Sequence, residues 1–417
     1  MLENNGNENN NEEIKMTFKI ERSAKAFIIF ALLFFIIMGD SITFFSYADE
    51  MATLFFIWYI VIEIFLKKIE KNDLIIVILL ITLSFLGFVS NMTNNLLIRK
   101  SAILVDALWL FKIFSGYIGT YYFLKDERDR IVFLKYVKVV SSTLIILSFV
   151  GAIINLFVDI GLSDGGIRYG LRAYCFIFGN SGHYGVIMGC CLAFILVSME
   201  NIMYRRVLTW MACFEILLTT KLMPILIVLV FVGLSNQNVL KKIKIRYAIL
   251  GAIVIGIVGR TQIIYYIKDV NHPRMRLIIY SIKTAMMYFP VGSGFATYGS
   301  EMAKRFYSPV YSYWGFEKFY GLSPSNGSCL NDNYMAMILA QFGFVGFAIF
   351  IVIMYIILNQ TVQNTRLENS RTRNILSALY ISMLATSLMS GTFKGAVGMV
   401  TFMTMGILRR QRKKQKE

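Results

Sequence analysis

Long apolar runs, each bounded by a few polar or charged residues, recur along nearly the whole chain. A helix needs about 20 mostly apolar residues to cross the hydrocarbon of a bilayer. The pattern predicts twelve such helices, at 25–46, 50–66, 74–92, 102–123, 132–158, 182–199, 206–219, 221–235, 247–260, 332–359, 374–391 and 393–408. The seventh to ninth runs are short, and the seventh and eighth meet at Thr220-Lys221. The last two, split at Gly391–Gly395, read equally as a re-entrant hairpin. Two interruptions stand out, at 159–181 and at 260–331, the second being the one long segment between apolar runs. Within it, 274–289 has apolar residues at helical spacing with Arg274, Arg276 and Lys283 among them. That spacing predicts an amphipathic helix lying at the membrane interface. A loop of this length in a compact protein is usually functional or disordered, and its Trp, Tyr, Phe and Pro content argues against a simple tether.

Composition agrees with the pattern. The 417 residues are 57% hydrophobic and 16% charged, against roughly 45–50% apolar and 25% charged in a soluble globular chain. A soluble enzyme, a disordered chain and a disulfide-rich secreted domain are excluded on these grounds. Net charge is +17, but most of it falls in short loops, so it bears on topology before nucleic acid, for which no case arises. With the N-terminus inside, the predicted inner loops and C-terminal tail carry twenty-one Lys and Arg and the short outer loops six. This bias predicts a multi-pass membrane protein with both termini on the inner side. The organisation is then a disordered tail over 1–24, helices one to nine over 25–259, an extracytoplasmic loop over 260–331, the last three helices over 332–408, and a basic tail over 409–417. The polar, Asn-rich N-terminus with no small-residue cleavage site predicts a retained first helix rather than a signal peptide. Five cysteines without a CxxC pair and two histidines give no pattern for a metal or other cofactor.

Candidate chemistry concentrates in the two predicted outer segments. The long one holds eight Lys and Arg against three acids. Arg274 and Arg276 follow a proline and open the amphipathic helix. There a guanidinium, always charged and able to make paired hydrogen bonds, suits a phosphate. Such groups stabilise negative charge developing on a pyrophosphate leaving group. Arg168 and Arg172, four apart in 159–181, fit the same task or act as interfacial anchors. Gly292 and Gly294 in PVGSGFATYG mark a bare backbone turn. Asp332 starts a long apolar helix, where it serves as a base toward a sugar hydroxyl or as a plain helix cap. Lys221, between two apolar runs, snorkels to headgroups or holds a phosphate. His183, in GNSGHYG, is a further ligand or base candidate. Asp40, Asp106 and Glu215 are acids inside apolar runs with no assignable role.

Four segments taken in order, GLRAYCFIFGNSGHYG, LLTTKLMP, PRMRLIIYSIKTAMMYFPVGSGFATYG and NDNYMAMILAQFGFVG, resemble the O-antigen polymerase and O-antigen ligase-like superfamily, which includes the Wzy-type polysaccharide polymerases. The match covers roughly 165–347. The resemblance implies an all-α, polytopic membrane glycosyltransferase of GT-C-like fold. It would act without metal or cofactor on polyisoprenyl-pyrophosphate-linked glycans at the outer face of a bacterial cytoplasmic membrane, with membrane lipids and a chain-length regulator as the partners it implies. Carried over residue by residue, it assigns catalytic roles to Arg172, Arg276 and Asp332, and substrate binding to Arg168, Lys221, Arg274, Gly292, Gly294 and Asn333. Thr220-Lys221 replaces the family's Ser-Arg, and lysine does not reproduce the two-pronged phosphate contact. Asp332 stands where ligases usually carry His, which favours a polymerase of capsular polysaccharide, exopolysaccharide or O-antigen over a ligase. The alternatives are a ligase passing glycan to a lipid or wall acceptor, and a flippase for lipid-linked oligosaccharide, which should carry charge in its mid-membrane helices.

Overall fold

The computed structural model describes residues 24–39, 42–94, 96, 98–168, 170–235, 272–363, 370–388 and 390–409. The predicted ninth span, its basic flanks, Asp40 and most of both tails lie outside these. Each of the other eleven apolar runs contains a helix: α1 (Ala24–Gly39), α2 (Ala48–Phe65), α3 (Lys71–Thr93), α4 (Lys100–Phe123), α5 (Glu127–Phe157), α6 (Ser181–Ser198), α7 (Ile202–Leu218) and α8 (Leu222–Ser235) in the first part. The long loop contributes α9 (Pro273–Met287) and the short α10 (Glu301–Arg305) and α11 (Pro309–Tyr313). Then come α12 (Tyr334–Gln363), α13 (Ser370–Ser387) and α14 (Ala396–Leu408). Among the described residues five helices, α3, α4, α5, α6 and α12, are long and apolar enough to cross a membrane. Their lipid-side positions are exposed apolar residues such as Phe85 and Leu104, as expected where the surrounding solvent is hydrocarbon.

The fold departs from an all-helical chain between α5 and α6. There β1 (Ser163–Arg168) and β2 (Leu171–Tyr174) pair antiparallel, with Ile167 opposite Arg172. The alternation Ile167 out, Arg168 partly in, is the period-two pattern of a strand, too short to register against the apolar runs on either side.

The centre of the bundle is α14, whose side chains from Val397 to Leu408 are all buried. It packs on α4 and α6, and α2 also packs on α4. Small residues permit these approaches: a Cβ on Gly406 would lie 2.2 Å from the Tyr117 carbonyl oxygen, and one on Gly119 would lie 2.5 Å from the Phe56 ring. At the far end of α14, Arg409 is drawn into the bundle rather than opening a basic tail. It donates to Asp73 at 2.7 Å and to Glu70 at 2.9 Å, and its guanidinium lies 4.1 Å from the Tyr121 ring centre. Gln360 and Tyr122 also donate to Asp73, at 2.8 and 2.7 Å.

The opposite end is closed by the long loop, which has a core of its own. The helical stripe Leu277, Ser281, Thr284 and Ala285 is the buried face of α9, and the helix packs on α12. Leu277 joins Tyr298, Ala303, Val310, Tyr311, Phe316, Leu322 and Leu330 in that core. After α9 the chain descends between α3 and α12. Gly343, at φ 64°, breaks the α12 hydrogen-bond ladder. The carbonyls freed there are taken by the loop: Ser293 N donates to Ala340 O at 2.9 Å and Gly294 N to Gln341 O at 2.8 Å. Ser90 and Asn94 donate to the Gly292 carbonyl, both at 2.9 Å. Asn91 receives Phe295 N at 2.8 Å and donates back to Phe295 O at 2.9 Å. Asp106, unassigned from sequence, receives Ala296 N at 2.7 Å and Gln341 Nε2 at 2.9 Å.

Two consequences follow for stability. Gly292 has φ 79°, and a Cβ there would lie 2.3 Å from Gly343 N. Gly292→Ala is expected to lower stability by about 2 kcal/mol or more, since a left-handed non-glycine residue alone costs about 1–3. Arg409→Ala strands two acids in the bundle and is expected to cost about 3–5 kcal/mol. Thermal unfolding of the purified variants in detergent checks both.

Candidate functional site

The loop delivers Asn331, Asp332 and Asn333 to the start of α12. Asn333 caps that helix: Ala336 N donates to its Oδ1 at 2.9 Å, and its Nδ2 donates to Leu388 O at 2.6 Å. The cap is therefore Asn333, which is buried and tied to α13, and not Asp332. Asp332 is turned toward α9 instead. Arg274 donates to Asp332 Oδ2 from Nε at 3.0 Å and from Nη2 at 2.7 Å. The His272 cap of α9, which receives Arg274 N at 3.2 Å, fixes where this arginine starts.

Asp332 lines a cavity of about 310 Å³ between the loop, α2, α4, the start of α6 and the turn before α14. Glu301, Asn331, His183 and Lys394 share it. Lys394 donates to Gly299 O at 2.5 Å and to Asn331 O at 3.1 Å. Burial lowers its ammonium to about 8, against the pull of Asp106, Glu301 and Asp332. Asn331 donates to Glu301, which also faces Lys304 at 3.8 Å. The α2–α4 wall holds a second charged group: Lys112 donates to Asp49 at 2.7 Å and to Glu50 at 2.9 Å, and Trp109 Nε1 donates to Glu50 at 3.0 Å.

Sequence reasoning passed over this wall. Its signals are an acidic pair opening the apolar run of α2 and a lysine at the midpoint of α4. Lysine at the middle of an apolar helix is expensive unless paired. Lys394 and Glu301 appeared only as loop charges.

The other predicted residues are distributed more widely. Arg276 lies on α9 with its guanidinium 3.5 Å from the Phe319 ring centre. Gly292 and Gly294 serve the descent into the bundle described above and do not line the cavity. Lys221 bridges Asp164 and Asn180, at 3.3 Å to each, and Asn180 caps α6 ahead of His183. Burial would raise the Asp164 carboxyl, but donation from Ser181 and Gly166, with Lys221 nearby, outweighs it and holds the group below the usual carboxylate range. Arg168 ends β1. Arg172 lines a separate cavity of about 240 Å³ with Asn155, Tyr174 and Leu218. It donates to Asn155 O at 3.2 Å and faces Asp159 at 3.5 Å. The structure thus brings Arg274, Asp332 and Asn333 to one place and leaves Arg172 at another.

Among the described residues no cluster of three His, Cys, Asp or Glu is placed to hold a metal ion. What the cavity at Asp332 offers is carboxylate, ammonium and imidazole groups around a space of about 310 Å³, suited to proton transfer and hydrogen bonding.

The Lys394 environment has a pH signature. The unfolded lysine titrates near 10.4 and the folded one near 8. Between those values the unfolded state binds the extra proton, so stability rises with pH. The wild-type unfolding temperature, relative to that of Lys394→Arg, is expected to rise from pH 8 to pH 10; a constant difference refutes the lowered value. No protein-family model matches the chain, and no curated protein matches it at a significant level.

Proposed function

We propose that the protein is a membrane glycosyltransferase of the polysaccharide-polymerase type. It extends glycans carried on polyisoprenyl pyrophosphate at the outer face of a bacterial cytoplasmic membrane, with both termini cytoplasmic and twelve spans in a GT-C-like arrangement. The observation that supports this best is the Arg274–Asp332 pair, set by a folded loop over a cavity at one bundle end. In this reading the acceptor hydroxyl binds at Asp332, whose Oδ2 is held by Arg274. The carboxylate takes the hydroxyl proton as the oxygen attacks the anomeric carbon. The bond to pyrophosphate breaks and its electron pair leaves with the phosphate. Lys394, which lines the cavity, supplies positive charge where the leaving group develops its charge; Arg276, set on α9 against Phe319, is not among the lining residues. Arg172, in its own cavity, serves the carrier rather than the reacting atoms.

One observation favours a second reading. Lys112, Asp49 and Glu50 place charge at the midpoint of α4, the feature expected of a lipid-linked oligosaccharide flippase. Purified protein given lipid-pyrophosphate-linked repeat units and no nucleotide sugar separates the readings. A ladder of products is expected, reduced at least about 100-fold in Asp332→Asn, the usual scale for removing a proton acceptor. Transbilayer movement of the same lipid in liposomes, with no ladder, selects the flippase. Neither product selects a ligase, and candidate acceptors are then supplied.

A further inference from the structure

The α2–α4 wall has no part in the chemistry above, and its geometry is that of a recognition surface. Glu50 lines the cavity, and its Oε1 already receives two donors, Lys112 Nζ at 2.9 Å and Trp109 Nε1 at 3.0 Å. Its Oε2 is buried and receives no N–H or hydroxyl donor among the described residues, with the Asp49 carboxyl beside Glu50 close enough to share a proton. A buried carboxylate oxygen without a donor is unfavourable unless a bound group supplies one. Lys112 is held on its other side by Asp49 at 2.7 Å, with a side chain only 3% exposed. Glu50 therefore has little freedom to turn away. Trp109 lines the same cavity and adds a flat apolar surface of the kind that packs on the C–H face of a pyranose ring.

Charge limits what enters. The cavity's carboxylates are Asp49, Glu50, Glu301 and Asp332. Against them stand Lys112 and Lys394 at the cavity, with Arg274 and Lys304 paired to Asp332 and Glu301. At the wall itself Lys112 is shared between Asp49 and Glu50, so an anionic occupant there would lose hydration against surplus negative charge, whereas Lys394, which donates to the carbonyls of Gly299 and Asn331, is left to meet a phosphate elsewhere in the cavity. An uncharged, hydroxyl-rich group replaces its water with hydrogen bonds at no such cost.

We infer that the α2–α4 wall is a subsite for an uncharged glycosyl unit. Glu50 Oε2 accepts one of its hydroxyls, Trp109 lies along the ring, and Lys112 positions Glu50. The inference rests on the polymerase reading for the identity of the chain to which the sugar belongs, but not for the binding itself.

The test uses the full-length protein in detergent and intrinsic tryptophan fluorescence. The probes are methyl glucoside, methyl galactoside and methyl N-acetylglucosaminide, with methyl glucuronide as the charged comparison. At least one neutral glycoside is expected to change the emission saturably, and the change is expected to vanish in Trp109→Phe. Glu50→Gln, which keeps Lys112 paired to Asp49, is expected to weaken binding about tenfold or more, as when one partner of a buried hydrogen bond is lost. Glucuronide is expected to bind more weakly than its neutral counterpart. In the ladder assay the same Glu50→Gln change is expected to raise acceptor KM while leaving kcat within a small factor. Glycoside binding with no ladder upholds the subsite and removes the polymerase reading. A ladder with unchanged acceptor KM in both Glu50→Gln and Trp109→Phe overturns the subsite and leaves the polymerase reading standing. No response to any neutral glycoside, or tighter binding of glucuronide, also overturns it.

Discussion

A stretch of non-helical backbone enters the end of a helical bundle, and every polar group it carries has to be satisfied there. Residues 291–298 descend between α3 and α12, where water is scarce and an unmet N–H or C=O is costly. The solution is reciprocal. α12 breaks at Gly343 and offers the carbonyls of Ala340 and Gln341. α3 contributes Ser90, Asn91 and Asn94, and α4 contributes Asp106. Gln341 joins the pieces by donating to both Asp106 and Tyr298 O. The loop cannot shift without leaving several of these groups unpaired at once. Everything downstream of it, Gly299, Glu301 and the return to Asp332, inherits that fixed position.

Charges in the bundle obey the same accounting. Arg409 is matched by Asp73 and Glu70 at one end, and Lys112 by Asp49 and Glu50 toward the other. Glu215 is buried with no cation paired to it among the described residues but receives Ser148 Oγ at 2.5 Å and the Tyr184 hydroxyl. Buried pairs of this kind contribute little net stability, yet losing one member is severe. Such sets specify which helices meet. Arg409 can satisfy Asp73 only if the end of α14 reaches the start of α3, and that reach also sets where the turn carrying Lys394 emerges.

Apolar runs marked the helices well because a lipid-facing or buried helix leaves a long, simple composition signal. The bounds of α3, α4 and α6 lie within a few residues of those expected. A helix within 274–289 was equally plain, but not the face it buries: Leu277, Ser281, Thr284 and Ala285 face the protein, two of them carrying hydroxyls, while Ile282, Met286 and Met287 are exposed. The β-hairpin was not, because six- and four-residue strands leave too few alternations. Nor did the pattern show that Gly292 and Gly294 face protein rather than substrate, since both uses require the same bare backbone. Asp332 and Asn333 illustrate the limit at one step of the chain. Either can cap a helix, and only the position of Arg274, fifty-eight residues away, decides which does.

The separation of Arg172 from Asp332 bears on how a lipid-linked substrate would lie. The hairpin that carries Arg172 exposes Ile167 and Leu171, and Phe157 and Val158 are exposed just before it. An apolar rim beside an arginine is the surface expected to meet a lipid chain and its headgroup phosphate together. The main cavity has a different character: acids and lysines line it alongside Trp109, Ala396 and Val397. A substrate with a long isoprenyl tail and a sugar head fits the two only if its ends are divided between them. In the proposed reaction the tail lies along the hairpin, and the sugar reaches the α2–α4 wall past the start of α6. Lys221 joins Asp164 of the hairpin to the Asn180 cap of α6. Its part is then to keep the hairpin seated on α6, which maintains the distance between the two ends.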